Sequence, residues 1–334
     1  MIKILVADPI AKEGIDLLKA AGDVDVTVKT GLSEDELAAQ IGQFDGVIVR
    51  SESKITPKVL ANPGRLQAIA RAGVGVDNVD LKEATRKGIL VMNTPGGNTR
   101  SAAEHTMALI LALCRNIVPA CNSLKAGKWD RKRYMGNQLY NKVLGIIGLG
   151  RIGMGVARMA KGFGMKIMGY DPLAVPTEAA KIGIEVCDSL ERIFKEADII
   201  TVHVPKNDQT INMIGTEQIA MMKPTVRLIN VARGGIINED ALYQALENRR
   251  IAGAALDVFT SEPPTDNRFA RFDNCIVTPH LGASTEEAQI EVATEAAQIL
   301  LEALRDKTIR NAVNAPSITT ALPGIVVQYG ELAL

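Results

Sequence analysis

The sequence predicts an α/β protein made of two doubly wound parallel-sheet domains, and three observations predict it. Short aliphatic runs of strand length alternate with segments of helical period, a pattern that folds into right-handed βαβ units and parallel sheets. The alternation comes as two series, one ending near residue 95 and one beginning near 142. The chain has 334 residues, about twice a common domain length.

The first series has runs at 2–8 (IKILVAD), 24–28 (VDVTV), 46–50 (GVIVR), 66–73 (LQAIARAG) and 89–95 (ILVMNTP). All read as buried strands, since both faces of a parallel sheet are covered. A helix between them opens with SEDELAAQIG, where Ser33 and Glu36 have capping-box spacing. The second series has runs at 142–148, 166–171, 198–204, 226–232, 253–259 and 275–280, with helices such as EDALYQALEN between most of them. Two apolar helices, 99–117 and 284–306, join the series. The second of these follows the end of the second series, so the chain is expected to return to the first module. One domain is then discontinuous, 1–98 plus 285–334, and the other spans 99–284.

Composition narrows the class. There are 38 basic and 38 acidic side chains, so no general electrostatic attraction to nucleic acid or to an anionic membrane is expected. Cys114, Cys121, Cys187 and Cys275 form no C-x-x-C pair and no Cys/His cluster of zinc-site spacing. No metal is expected, and the thiols read as free in a reducing compartment. The longest apolar stretch, MALILALC, is too short to span a bilayer, and MIKILVADP reads as a strand rather than a secretion signal. A cytoplasmic location is the expectation.

The run KVLGIIGLGRIG ends a strand in Gly148, Gly150 and Gly153, which fit G-x-G-x-x-G. Three glycines at that spacing are common by chance, so context decides. Here a strand precedes them, a helix (RIGMGVARMAKGF) follows, and the next strand ends in Tyr170-Asp171. That order is the dinucleotide fingerprint. Gly148 permits the tight turn, Gly150 lets a pyrophosphate approach the backbone, and Gly153 lets helix and strand pack closely. The helix start offers free N–H groups to the phosphates. Asp171 is placed to accept hydrogen bonds from ribose hydroxyls and to repel a 2′-phosphate, so NAD is expected over NADP.

Past the fingerprint, polar residues follow successive strand runs. Arg233 comes after NVA, Asp257 stands in LDVF, Glu262 in the loop beyond it, and His280 ends VTPH. Carboxyl ends of such strands border the ligand crevice. A histidine suits proton transfer near neutral pH. A carboxylate beside it orients the ring and stabilises its cation. A guanidinium binds a carboxylate through two parallel hydrogen bonds and polarises the neighbouring carbonyl. Oxidising an alcohol needs a base for the hydroxyl proton while hydride leaves for the nicotinamide, and the histidine is the candidate. His105, in the linking helix, and His203, after a buried run, read as structural.

The stretches GIIGLGRIG, NVARGGIINEDAL, ALDVFTSEP and TPHLGAST, in this order, resemble the D-isomer-specific 2-hydroxyacid dehydrogenases over nearly the whole chain. The resemblance implies a flavodoxin-like substrate domain and a Rossmann-like coenzyme domain. It places the catalytic groups on Arg233, Glu262 and His280 and the ribose-binding acid on Asp171. It puts Arg151 and Ile152 in the phosphate turn, and Val204, Val231 and Asp257 near the coenzyme. ARAGVGVDNVD, MNTPGGNTRSAAEHTMALILALCRNI, GKWDRKRYMGNQL and NAVNAPSI resemble the members that oxidise D-3-phosphoglycerate. By that resemblance Arg50, Arg71, Val74, Gly75 and Asn98 border a phosphorylated 2-hydroxy acid, with Lys54 and the Arg131, Lys132, Arg133 cluster as further cations. Val74, Val204 and Val231 stand where some relatives carry polar or thiol side chains. A homodimer or higher homo-oligomer is expected. Many relatives continue into a serine-binding domain beyond the point where this sequence stops, Leu334, so inhibition by serine is not expected of it. Two other readings stay open: a glyoxylate or hydroxypyruvate reductase, and a non-enzymatic NAD-sensing protein like certain transcriptional corepressors.

Overall fold

Strand-length aliphatic runs build two separate sheets in the computed structural model, which describes residues 1–173 and 176–315. The chain divides into two compact units, Met1–Asn98 with Thr285–Leu334, and Thr99–Ser284. Residues 316–334, part of the expected first domain, lie outside the described residues.

In the first unit, β1 (Ile2–Val6), β2 (Val24–Val28), β3 (Gly46–Val49), β4 (Ala68–Arg71) and β5 (Leu90–Asn93) form one sheet in the order β2-β1-β3-β4-β5. Every pairing is parallel. Side chains alternate between two layers, as the period of a strand requires. Ile4, Val6, Ile48 and Met92 pack with Leu18 and with Val292, Ala296 and Leu300 of the helix Glu286–Leu301. Leu5, Val47, Val49, Ile69 and Val91 pack on the other face with Leu37, Ile41 and Leu60. Ser33 closes the expected capping box with Glu36 at the start of the helix Glu34–Gln40.

In the second unit, β6 (Val143–Ile147), β7 (Lys166–Tyr170), β8 (Ile184–Val186), β9 (Ile199–Val202), β10 (Arg227–Asn230), β11 (Gly253–Leu256) and β12 (Cys275–Val277) form a seven-stranded sheet in the order β12-β11-β10-β9-β6-β7-β8. All of its pairings are parallel. The chain winds outward from β6 through β7 to β8, then crosses back to β9 and winds the other way. The order therefore reverses between β6 and β9, and a ligand crevice opens at such a point. The corresponding reversal in the first sheet lies between β1 and β3.

Two elements differ from the sequence expectation. The strand β8 was not anticipated, because its three residues carry one charged side chain and sit at a sheet edge. The helix expected over 99–117 ends at Cys114, and a second, Ile117–Lys125, leaves at 62°. Asn116 between them is left-handed, with φ 53°, a conformation that asparagine tolerates better than most residues. Among the described residues no single helix is long and apolar enough to cross a membrane.

Candidate active site

The turn after β6 is shaped by contacts that exclude a side chain. Gly148 has φ +96°, and a Cβ there would lie 2.5 Å from the carbonyl oxygen of His203. A Cβ on Gly153 would lie 2.0 Å from the carbonyl oxygen of Gly148. At Gly150, the N-cap of the helix Arg151–Gly162, a Cβ would meet nothing within 4 Å, and no side chain caps that helix. An open, uncapped helix start beside a bare backbone fits a diphosphate, whose oxygens accept from the free N–H groups. Arg151 is exposed there and Ile152 half-buried. Asp171 sits directly after β7. Its Oδ2 accepts from Leu149 N and its Oδ1 from Leu173 N, both at 2.8 Å. These bonds tie the carboxylate to the glycine turn, and each oxygen keeps a lone pair for a ribose hydroxyl. Val204 and Val231 follow β9 and β10, respectively half-buried and buried.

Parallel pairing of β10, β11 and β12 brings their carboxyl ends to one edge. Arg233, Asp257, Glu262 and His280 all follow those ends. His280 Nδ1 lies 2.7 Å from Glu262 Oε2, and Glu262 Oε1 accepts from Phe259 N at 3.0 Å. Burial would raise the Glu262 carboxyl. The hydrogen bonds from His280 and Phe259 N, with the charges of His280 and Arg233, hold it below the usual range. An ionised acceptor thus fixes Nδ1 of the imidazole and leaves Nε2 free of that pair. The arginine Nη1 donates to Ala232 O at 2.7 Å.

Asp257 is fully buried. Its Oδ1 accepts from Thr278 Oγ1 at 2.5 Å and Leu281 N at 2.8 Å, with His105 Nε2 3.2 Å away. Its Oδ2 accepts from Gly282 N at 2.8 Å. Burial opposes ionisation, but the donors from His105, Thr278, Leu281 and Gly282 keep its carboxyl below the ordinary value. The aspartate therefore clamps the chain on the far side of His280, whose φ is +57°. His203 lies half-buried, 3.0 Å from Thr201 Oγ1, and burial pushes its imidazole down to about 4.

Sequence reasoning missed the partners that hold these groups. Glu239, opening the helix Glu239–Glu247, accepts from the N–H and hydroxyl of Thr260 and so braces the loop that carries Glu262. Thr278 and His105 bond Asp257, and Asn230 bonds the turn that carries Arg233. A polar residue standing at the last position of an aliphatic strand was the available signal, and Asn230 carries it.

In the first unit, Asp8 follows β1 and is fully buried. It accepts from Arg50 N at 2.5 Å and from the N–H and hydroxyl of Ser53. Asn78 Nδ2 donates to the carbonyls of Arg50 and Ser53, each at 2.7 Å. Arg50 thus stands on a doubly clamped turn after β3, with Lys54 exposed beside it. Asn93 Nδ2 donates to Val74 O at 2.6 Å and shapes the turn of Val74 and Gly75. The Arg71 guanidinium lies against Gly73, where a Cβ would sit 1.5 Å from Nη1. Asn98 ends the first segment of this unit, with Oδ1 buried. Among the cluster at 131–133, Arg133 pairs with Asp273 at 2.7 Å within the second unit.

Comparison with known proteins gives this geometry relatives. Residues 107–282 match the family model described as the D-isomer specific 2-hydroxyacid dehydrogenase, NAD binding domain. The D-3-phosphoglycerate dehydrogenase of Synechocystis is 49% identical over 333 residues, which cover 100% of this chain and 60% of that enzyme. The chain thus spans about three-fifths of the length of that relative. A crystallised Thermus thermophilus protein superposes with TM-score 0.86 at 32% identity, over 93% of this chain and 100% of that one. The D-lactate dehydrogenase of Aquifex aeolicus, complexed with NAD and lactic acid, superposes with TM-score 0.84 at 29% identity, over 94% and 100%. An NAD-binding module matched across more than half the chain, in a fold shared almost end to end with such an enzyme, makes this protein a member of the D-isomer specific 2-hydroxyacid dehydrogenase family.

Proposed function

We propose that the chain catalyses the NAD-dependent oxidation of D-3-phosphoglycerate to 3-phosphohydroxypyruvate. The observation that carries the chemistry is the imidazole–carboxylate pair, His280 Nδ1 to Glu262 Oε2 at 2.7 Å. The phosphorylated substrate is supported by the 49% identity with a D-3-phosphoglycerate dehydrogenase.

When bound, NAD accepts hydride from the carbon that carries the hydroxyl group. The chain supplies the rest. Glu262 holds Nδ1, so Nε2 of His280 takes the hydroxyl proton as general base and returns it in the reverse direction. The carboxylate of Glu262 stabilises the imidazolium so formed. Arg233 binds the substrate carboxylate through paired hydrogen bonds and polarises the neighbouring carbonyl during reduction. Gly148, Gly150, Arg151, Ile152 and Gly153 receive the diphosphate, Asp171 the ribose, and Val204, Val231 and Asp257 the nicotinamide end. Arg50, Arg71, Val74, Gly75 and Asn98 of the first unit bind the substrate, with Arg50 and Arg71 as cations for its phosphate. In this reading 1–98 plus 285–334 is the substrate domain and 99–284 the coenzyme domain, in a cytoplasmic homodimer. Exposed Ile117, Leu124 and Trp129 on and after the helix Ile117–Lys125 offer apolar surface for the second subunit.

A panel of 2-hydroxy acids tests the reading. D-3-Phosphoglycerate with NAD is expected to yield NADH, and D-lactate and D-glycerate to fall at least about 10²-fold lower in kcat/KM. Equal efficiency on unphosphorylated acids would remove the phosphate specificity and leave the hydride chemistry standing. No turnover of any member would overturn both.

A further inference from the structure

The turn that presents Arg233 is held from beneath by one side chain. Asn230 is the last residue of β10, in register with Leu256 on one side and Val202 on the other, and it is 2% exposed. Its Oδ1 accepts from Ala232 N at 3.0 Å, and its Nδ2 donates to Arg233 O at 2.9 Å. The orientation of the carboxamide is unambiguous, because the Ala232 N–H only donates and the Arg233 carbonyl only accepts. Both polar ends of this buried group are used on the backbone that flanks Arg233.

The opposite wall of the turn is equally tight. A Cβ on Gly234 would lie 1.9 Å from the carbonyl of Phe259. The amide of Phe259 in turn donates to Glu262. The backbone carrying the guanidinium is thus pinned by Asn230 below and nested against the loop of the catalytic carboxylate. We infer that Asn230 is a positioning residue for the substrate-binding arginine: its carboxamide closes the turn 230–233 and so sets where the guanidinium can meet the substrate carboxylate. The inference rests on the reading of Arg233 as the carboxylate binder.

The physical expectation is a split between substrates. Removing the carboxamide frees the turn, and a two-bond guanidinium contact is sensitive to small displacements. The diphosphate and ribose contacts lie after other strands, β6 and β7, and are left alone; within the turn only Val231 is read as facing the coenzyme, through an apolar contact that contributes a small share of its affinity.

A double-mutant cycle tests this, using Asn230→Ala, Arg233→Gln and the pair, with D-3-phosphoglycerate as variable substrate. Asn230→Ala is expected to raise KM for the acid about tenfold or more. NADH affinity, measured by fluorescence titration without turnover, is expected to stay within about twofold. In the Arg233→Gln background the same change should alter KM by less than about twofold, because the group it positions is gone. A merely structural role predicts the same factor in both backgrounds. That result, or an unchanged KM in Asn230→Ala, overturns the inference. An unchanged KM in Arg233→Gln alone shows instead that the carboxylate-binding reading has failed. If Asn230→Ala does not fold, Asn230→Asp serves the same cycle. It keeps the volume and the acceptor for Ala232 N, and when ionised it replaces the donor to Arg233 O by a second, charged acceptor that repels that carbonyl, so a KM increase that shrinks beside Arg233→Gln is again the expected result.

Discussion

Replacing Asp257 by asparagine tests whether its buried carboxylate holds the backbone around His280. The wild-type carboxylate accepts on Oδ1 from Thr278, Leu281 N and His105, and on Oδ2 from Gly282 N. An asparagine has one acceptor oxygen. Its cheaper orientation keeps that oxygen on the crowded side and turns its NH2 toward Gly282 N–H, donor against donor. A hydrogen bond to a charged acceptor is lost, and a buried N–H is left unpaired. Together these cost on the order of 3 kcal/mol. A non-glycine residue in the left-handed region, as His280 is, costs roughly 1–2 kcal/mol. The loss exceeds that strain, so the bend at His280 is no longer held down. Amide hydrogen exchange reads the effect locally, without assuming that the two units unfold together. The Gly282 amide should exchange about 10²-fold faster in Asp257→Asn, and kcat should fall with it. Exchange at Gly282 within about threefold of wild type would refute the clamp. Acid gives a second handle. The Asp257 carboxyl lies below its ordinary 3.8, so its contribution is complete above that pH and is lost only as pH falls through the lower folded value.

Two further outcomes follow from charge. Glu262→Gln removes the charged acceptor that holds Nδ1 of His280 at 2.7 Å, so kcat should fall by about tenfold or more. A kcat within about twofold of wild type would mean that Glu262 does not act on the ring. The chain has 3 histidines, so labelled histidine resolves them one by one in an NMR titration. His203 should remain neutral until about pH 4; a midpoint near the free-histidine value of about 6.5 would show that its ring is not desolvated.

The strand–helix alternation was legible because a strand of a parallel sheet is aliphatic on both faces. Eleven of the runs read as strands coincide with β1–β7 and β9–β12, apart from β8. What the runs overstated was their length. The run 253–259 continues in the sequence through Asp257, yet β11 stops at Leu256; the backbone of Asp257 still bonds Asn230 O and His280 N, while its carboxylate takes the amides of Leu281 and Gly282. Nor does composition show where an apolar helix bends. Asn116 turns left-handed without a glycine or proline to announce it, although Pro119 three residues on is a residue that favours the first turn of a new helix. The edge that gathers Arg233, Glu262 and His280 was legible from their position after successive strands. Their supports were not, since His105 and Asp257, or Glu239 and Thr260, meet only through the folded chain.

The buried polar residues suggest why such supports take the form they do. Asp8, Ser53, Thr94, Asn230 and Asp257 are all buried, and all lie at or just beyond carboxyl ends of strands. A strand end facing a ligand crevice must turn without regular partners for its amides, and an amide left unpaired there costs about as much as a lost hydrogen bond. A short polar side chain set at the strand end satisfies those amides at once. Its functional groups are then occupied, so a residue a few positions later is left to face the ligand. Asn230 precedes Arg233 in this way, Asp257 satisfies the amides that follow His280, and in the first unit Asp8 holds the turn that carries Arg50. The division follows from geometry: the first polar side chain past a strand still points along the packed face, where neighbouring amides and buried side chains occupy it. The residue that meets substrate must stand on the loop, and its precision is borrowed from the buried neighbour beneath it.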